Sequence, residues 1–357
     1  AKATSFFATP ETRDAINAGR IDFIPLQYRA IYSYLERDLD IDIAIMQLPP
    51  ADTDGMISLG IGVDFVPAVL SKAKMVIAET NDQQLSPPGS PKIPESAIDF
   101  TVACSRPMAT FPTAKVNDIA REIGRHVADL VQDGDCIQIG IGAIPDAALA
   151  ALSDKNDLGF HSGMLADGVM PLITAGNMTS RAKALDPGRS VAGVTLGSPA
   201  LIEWAGQTDA LIFRPVTYTH DSGIVRQIDN FVSINSALQI DLFGQVNADM
   251  LNGQQISGTG GSVDVMRAAA LSKGGRSILA LNATAARGTV SRIVPTLDHF
   301  TATTALRTDI DFVVTEFGAR RIKHLPFAAR AEALIEIAAP EFQGGLRDAW
   351  RTLRARV

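Results

Sequence analysis

Short apolar runs of β type alternate with helical stretches from one end of the chain to the other, and that rhythm leaves few architectures open. Strands are predicted at 41–48, 56–62, 75–79 and 98–103, with a helix at 30–38 ahead of the first and another at 65–73 between the second and third. Farther on, strands at 136–141, 158–161, 191–196, 210–215 and 277–281 alternate with helices at 116–131, 145–152, 166–175, 199–204 and 263–271. Nearly continuous apolar strands joined through helices pair in parallel, because the crossover helix covers the sheet it leaves. The fold class that follows is α/β, with mostly parallel sheets built from βαβ units. Two stretches depart from the rhythm. Residues 231–246 alternate over a long span and read as a paired β-ribbon, and the tail 327–357 reads as helix with charged faces.

A chain of 357 residues is long enough for two domains with cores of their own. The Pro-punctuated segment Ser105–Thr113 is the expected boundary, dividing the chain into 1–112 and 113–357, and 80–97, rich in Pro, Ser and Gln, reads as a surface loop. With 32 Lys+Arg against 39 Asp+Glu, and no basic block, nucleic acid and anionic membranes are poor partners. Cys104 and Cys136 are too few for a disulfide framework, so a reducing, cytoplasmic compartment is expected. No apolar run approaches the roughly 18–20 residues that cross a bilayer. The sequence opens without Met and without a signal-peptide pattern, and an upstream segment is expected to be missing.

Three glycine turns follow apolar strands: Gly60-Ile61-Gly62, Gly140-Ile141-Gly142 and Ser257-Gly258-Thr259-Gly260-Gly261. Such turns let backbone approach a ligand and aim helix N–H groups at it, yet most are only tight βα connections. None fits a dinucleotide fingerprint or a P-loop. The third is the densest in glycine, and its amides are free to face an oxyanion. The histidines, His126, His161, His220, His299 and His324, are not paired at metal-ligand spacing, and no metal is expected. His161 falls at a predicted strand end and His220 in a loop, where each has a structural reading beside a catalytic one. Gln239 and Asp241 share one face of the predicted ribbon, either lining a cleft or forming its wet side. No G-x-S-x-G elbow occurs.

Ile137-Gln138-Ile139-Gly140-Ile141-Gly142-Ala143-Ile144-Pro145-Asp146 resembles the acetyl-CoA hydrolase/transferase family. So do Asn235-Ser236-Ala237, Asp241-Leu242-Phe243-Gly244-Gln245-Val246, Ser257-Gly258-Thr259-Gly260-Gly261-Ser262, Ser272-Lys273-Gly274-Gly275, Ser291-Arg292-Ile293-Val294-Pro295 and Val314-Thr315-Glu316-Phe317-Gly318. The likeness runs in order along nearly the whole chain. It implies two related open parallel-sheet domains of the CoA-transferase (NagB/RpiA-like) type, with acyl-CoA in the cleft between them. It also implies an acyl-glutamyl anhydride followed by a glutamyl-CoA thioester, with amides of Gly258, Gly260 and Gly261 on the thioester oxygen. Lys273 and Arg292 would contact the phosphates of CoA. Coenzyme A as acyl-CoA is the implied substrate, with a small carboxylate as possible acceptor and a homodimer or larger assembly as the working form.

The sequence departs from the family pattern where the nucleophile is expected. The family reads His-Thr-Glu-Met where this chain has His161-Ser162-Gly163-Met164, and Gln239 stands where relatives often carry Glu. Glycine has no side chain to attack a thioester, and an amide cannot act as a carboxylate base. The loss of a side chain at Gly163 is expected to open space for a water, polarised by His161 or His220 and facing the glycine amides. Hydrolysis of an acyl-CoA, or carbon–carbon cleavage of a β-ketoacyl-CoA, is then favoured over transfer. The alternatives are a non-catalytic CoA-binding subunit whose partner supplies the carboxylate, or a nucleophilic role for Asp241 or Glu316.

Overall fold

In the computed structural model, which describes residues 2–112 and 114–355, the alternating runs condense into two principal parallel sheets. Thr113, at the end of the expected boundary segment, lies outside the described residues, as do Ala1, Arg356 and Val357. The first sheet is three-stranded, in the order Ile43–Leu48, Met75–Asn81, Phe100–Cys104, and all parallel. Its register puts Ala44, Leu48, Val76 and Ala78 on one face, where they are buried. The opposite face carries Ile43, Ile45, Phe100 and Val102, which stay 53%, 78%, 58% and 59% exposed.

The second sheet has six strands in the order Gly318–Arg321, Phe312–Thr315, Arg276–Ala280, Phe231–Ser236, Cys136–Ile139, Gly159–Phe160. All run parallel except Gly318–Arg321, the antiparallel edge. Its central strands are buried on both faces, and the polar side chains they carry, among them Gln138, Ser233 and Asn235, are buried with the apolar ones. The Asp118–Ala128 helix packs beside them. Asn117 caps its N-terminus by accepting from the Ala120 amide, and the Ala120, Ile123 and Val127 stripe falls on the buried side. Gly124 lets that helix press on the Ala143–Ala150 helix, since a Cβ there would lie 2.7 Å from the Ala147 carbonyl carbon. One core cluster takes in Leu48 and Ile57 together with Ile123, Ile137, Phe160, Val232 and Ile278, so apolar packing is continuous across residue 112.

Two readings of the sequence need correction. The stretch 231–246 is not a ribbon: Phe231–Ser236 is a central strand of the six-stranded sheet, and the chain then turns at Ala237 and Leu238. Gln239–Asp241 joins a separate small sheet between Val246–Asn247 and Ile293–Val294. The strand predicted at 191–196 is two short strands, Ser190–Ala192 and Val194–Thr195, which pair with different partners. They part at Gly193, whose missing Cβ leaves room for the Asp64 carboxylate. Among the described residues no helix is long and apolar enough to cross a membrane.

Candidate functional site

At the carboxyl ends of Cys136–Ile139 and Phe231–Ser236, where open α/β sheets bind ligands, lies a cavity of about 300 Å³. The loop 257–261 forms one wall and leads into the Ser262–Leu271 helix. Among the described residues no amide from Gly258 to Val263 finds a protein acceptor, and Gly260 sits at φ +64°, a conformation glycine adopts without strain. A row of unpaired N–H groups at a helix N-terminus is a donor set suited to developing negative charge.

The loop is held by a segment distant from it in sequence. Arg13 donates to the Ile256 carbonyl, Asn17 exchanges hydrogen bonds with Gln255, and Thr259 donates to the Leu26 carbonyl. The Tyr28 amide donates to the Gly260 carbonyl at 3.0 Å, and the Arg29 amide to Asp264 at 2.9 Å. This strap brings Phe7 and Tyr28 into the cavity wall. Burial pushes the Asp264 carboxyl up to about 6, against the lowering effect of the Arg29 N–H.

Among the described residues His220 is the only histidine that lines the cavity. A Cβ on Gly163 would lie 2.1 Å from its Cε1, and one on Gly261 would lie 2.3 Å from its Nε2, so the ring is wedged between two glycines. Tyr28 lies against the ring at 4.9 Å, and Thr219 Oγ1 is 2.9 Å from Nδ1. The space expected to open at Gly163 is therefore filled by an imidazole, which corrects the expectation of a void there. Burial depresses the His220 pKa to about 4, so the ring is neutral at neutral pH. Tyr28 in turn donates to Asp64 at 2.6 Å, and burial raises the Asp64 carboxyl to about 7, opposed by that hydrogen bond. Asp64 Oδ1 has no partner, and burial also drives the Tyr28 hydroxyl upward.

The cavity thus collects Gly163, His220, Gly258, Gly260 and Gly261 from the sequence expectation. It does not collect His161, whose ring is fully buried between Tyr218 and Phe231 with Nε2 3.2 Å from the Tyr218 carbonyl. Burial, then the charge of Lys183, lower the His161 pKa to about 3, and a ring turned into the core cannot polarise a water in the cavity. Gln239 is half-buried and accepts from Asn247 at 3.3 Å, away from the cavity. Asp241 is buried and accepts from the amides of Phe243 and Gln245, while Glu316 accepts from the Ala283 amide, so both carboxylates hold backbone. Lys273 is exposed and 3.8 Å from Asp229, ahead of the Arg276–Ala280 strand and so at the end of the sheet opposite the cavity. Arg292 stands at the carboxyl end, in a second hollow shared with Asn282, Thr284 and Arg287, and its Nε is unpaired. Phe7, Tyr28, Gln138, Ser162, Met164 and Asn235 also line the cavity; the last four stand in segments that carry the family resemblance without having been given a role, and nothing in the local sequence marks Phe7 and Tyr28. Among the described residues no group of three His, Cys, Asp or Glu could hold a metal ion.

Comparison with known proteins identifies the family. The acetyl-CoA hydrolase/transferase N-terminal domain matches residues 1–103, and the C-terminal domain of the same family matches residues 197–350. The chain is 40% identical over 341 residues to a 4-hydroxybutyrate coenzyme A transferase of Clostridium kluyveri, covering 95% of this chain and 80% of that protein. The crystal structure of RipA from Yersinia pestis superposes with a TM-score of 0.91 at 36% identity, over 99% of this chain and 81% of RipA. A 4-hydroxybutyrate CoA-transferase of Porphyromonas gingivalis superposes with a TM-score of 0.83 at 33% identity, over 95% of this chain and 82% of that one. These matches, with a cavity built from the glycine loop and the sheet's carboxyl ends, make the chain a member of the acetyl-CoA hydrolase/transferase family, an α/β enzyme that processes acyl-CoA thioesters.

Proposed function

We propose that this enzyme breaks its thioester by water attack and not through a glutamyl-CoA intermediate. One observation carries the reading: Gly163 stands where the family's nucleophile is expected, the His220 ring fills the space its side chain would need, and no carboxylate lines the cavity among the described residues. In the tautomer whose Nδ1–H donates to Thr219 Oγ1, which the 2.9 Å contact accommodates, His220 presents Nε2 as an acceptor. Water oxygen attacks the thioester carbon while its proton passes to Nε2. The carbonyl oxygen becomes an oxyanion, held by the free amides of the 258–261 loop. Collapse of this intermediate breaks the C–S bond, and the imidazolium returns its proton to the departing thiolate. The products are a carboxylic acid and free CoA. The same donors would hold an enolate, so cleavage of a β-ketoacyl-CoA is the chemistry's nearest neighbour.

Arg292, whose Nε is unpaired beside its hollow, is the candidate we favour for a phosphate of CoA over Lys273, which lies at the opposite end of the sheet. The division into 1–112 and 113–357 belongs to the same proposal, supported by family matches that fall on either side of it.

The test is product analysis by mass spectrometry over a panel of acyl-CoAs, with and without acetate. Free CoA without an acceptor supports the reading. Acetyl-CoA formed only with acetate overturns it, as does CoA binding with no reaction, which would favour the CoA-binding subunit. Because His220 stays neutral down to about pH 4, the acid limb of kcat/KM should fall near that value, well below the usual histidine range. A limb near 6.5 would remove His220 as the base.

A further inference from the structure

The charge inventory of the cavity bears on which acyl group it can take. Its titratable members are His220, held neutral by burial, and Tyr28, whose hydroxyl keeps its proton. Among the described residues no Lys, Arg, Asp or Glu lines it. Apolar surface comes from Phe7, Ile139, Ile141 and Met164.

The polar end is an amide pair. Asn235 Nδ2 donates to Gln138 Oε1 at 2.9 Å, both buried at the carboxyl ends of neighbouring central strands. Whichever way the two amides are turned, pairing them leaves one NH₂ group and one carbonyl oxygen. A hydroxyl or keto oxygen on an acyl chain can use such a pair. An ionised carboxylate meets one donor and one repelling acceptor, with no cation to offset its lost hydration. The unpaired loop amides cannot serve it either, since the thioester oxygen needs the same donors.

Resting on the reading that the acyl end of the thioester lies in this cavity, we infer that the enzyme takes uncharged acyl groups, short chains with or without a hydroxyl or keto oxygen, and rejects acyl groups bearing a second carboxylate. Gln138 and Asn235 are the residues that set this preference.

Two non-reacting thioethers of matched length test it on the whole chain by calorimetry: S-(2-oxopentyl)-CoA, which is neutral, and S-(4-carboxy-2-oxobutyl)-CoA, which carries the extra carboxylate. The neutral compound should bind at least tenfold more tightly. Gln138→Lys should narrow or reverse the ratio, and Asn235→Asp should widen it. Equal binding by the unaltered protein overturns the charge rule, and if Gln138→Lys then favours the carboxylate, the acyl end is still in the cavity. A preference that neither variant changes puts the acyl end elsewhere and overturns that placement as well. Release of free CoA from reactive acyl-CoAs is scored separately, so failure of hydrolysis is not confused with failure of the charge rule.

Discussion

His220 has little freedom to move. Gly163 and Gly261 bound it at less than a side chain's distance, Tyr28 lies against its ring, and Thr219 holds Nδ1. Returning the family's carboxylate by Gly163→Glu alone should therefore overpack the site and cost about 1–3 kcal/mol. Removing the ring as well, in Gly163→Glu with His220→Ala, should recover most of that loss. Denaturant unfolding of the single and double variants checks it, and additive losses would show that the two positions do not compete for space. How legible these residues were in the sequence differs from one to the next. Gly258, Gly260 and Gly261 announce themselves by density. Gly163 is visible only as a gap in a motif. His161 was placed correctly at a strand end, but strand alternation turned its ring inward, and a one-residue shift of register exchanges the two faces.

At the scale of elements, the N-terminal strap and the 257–261 loop act as one unit. Tyr28 joins them by its amide on Gly260, and it also reaches Asp64 with its hydroxyl and His220 with its ring. Tyr28→Phe keeps the ring and deletes the hydroxyl, leaving Asp64 with no side-chain donor. The expected loss is about 1–3 kcal/mol. Its pH dependence has a definite sign. Burial raises the folded pKa of Asp64 from 3.8 to about 7, so its contribution favours folding at low pH and is lost as pH rises through 7. Without the hydroxyl the ionised form loses its only side-chain partner, so the deficit should be larger at pH 8.5 than at pH 5.5. Urea unfolding at both values tests this; an equal deficit would deny Asp64 the role. No local pattern could have joined Tyr28 to Gly260, because their contact closes a loop of most of the chain. Gln138 and Asn235 stand in segments that resemble the family, but their pairing could not be read, since amides in central strands show no partner until their neighbours are known.

For the molecule as a whole, apolar runs and glycine turns were enough to give the α/β class, because parallel strands must be buried on both sides. The reading failed at 231–246, where polar and apolar residues interleave on both sides of Ala237 and Leu238 and no Gly or Pro marks the turn into a different sheet. The sequence also gave no warning that one face of the three-stranded sheet would stand open. Ile43, Ile45, Phe100 and Val102 form an exposed apolar surface beside Phe100–Cys104, which ends the sheet as an edge strand. Open edges of this kind template association between chains. Val102→Lys should raise the concentration at which light scattering detects self-association, with stability changed by less than about 0.5 kcal/mol. Unchanged association would show that this face does not drive it.

One imidazole closing the room at two glycines also orders the mutational history open to this site. A descendant that gains glutamate at 163 first must carry a strained protein until His220 gives way, whereas one that loses His220 first passes through a roomy cavity without its base. Neither route is a single neutral step. The present arrangement is thus a ratchet, easier to keep than to undo, and relatives that lack the nucleophilic glutamate are expected to vary at these two positions together.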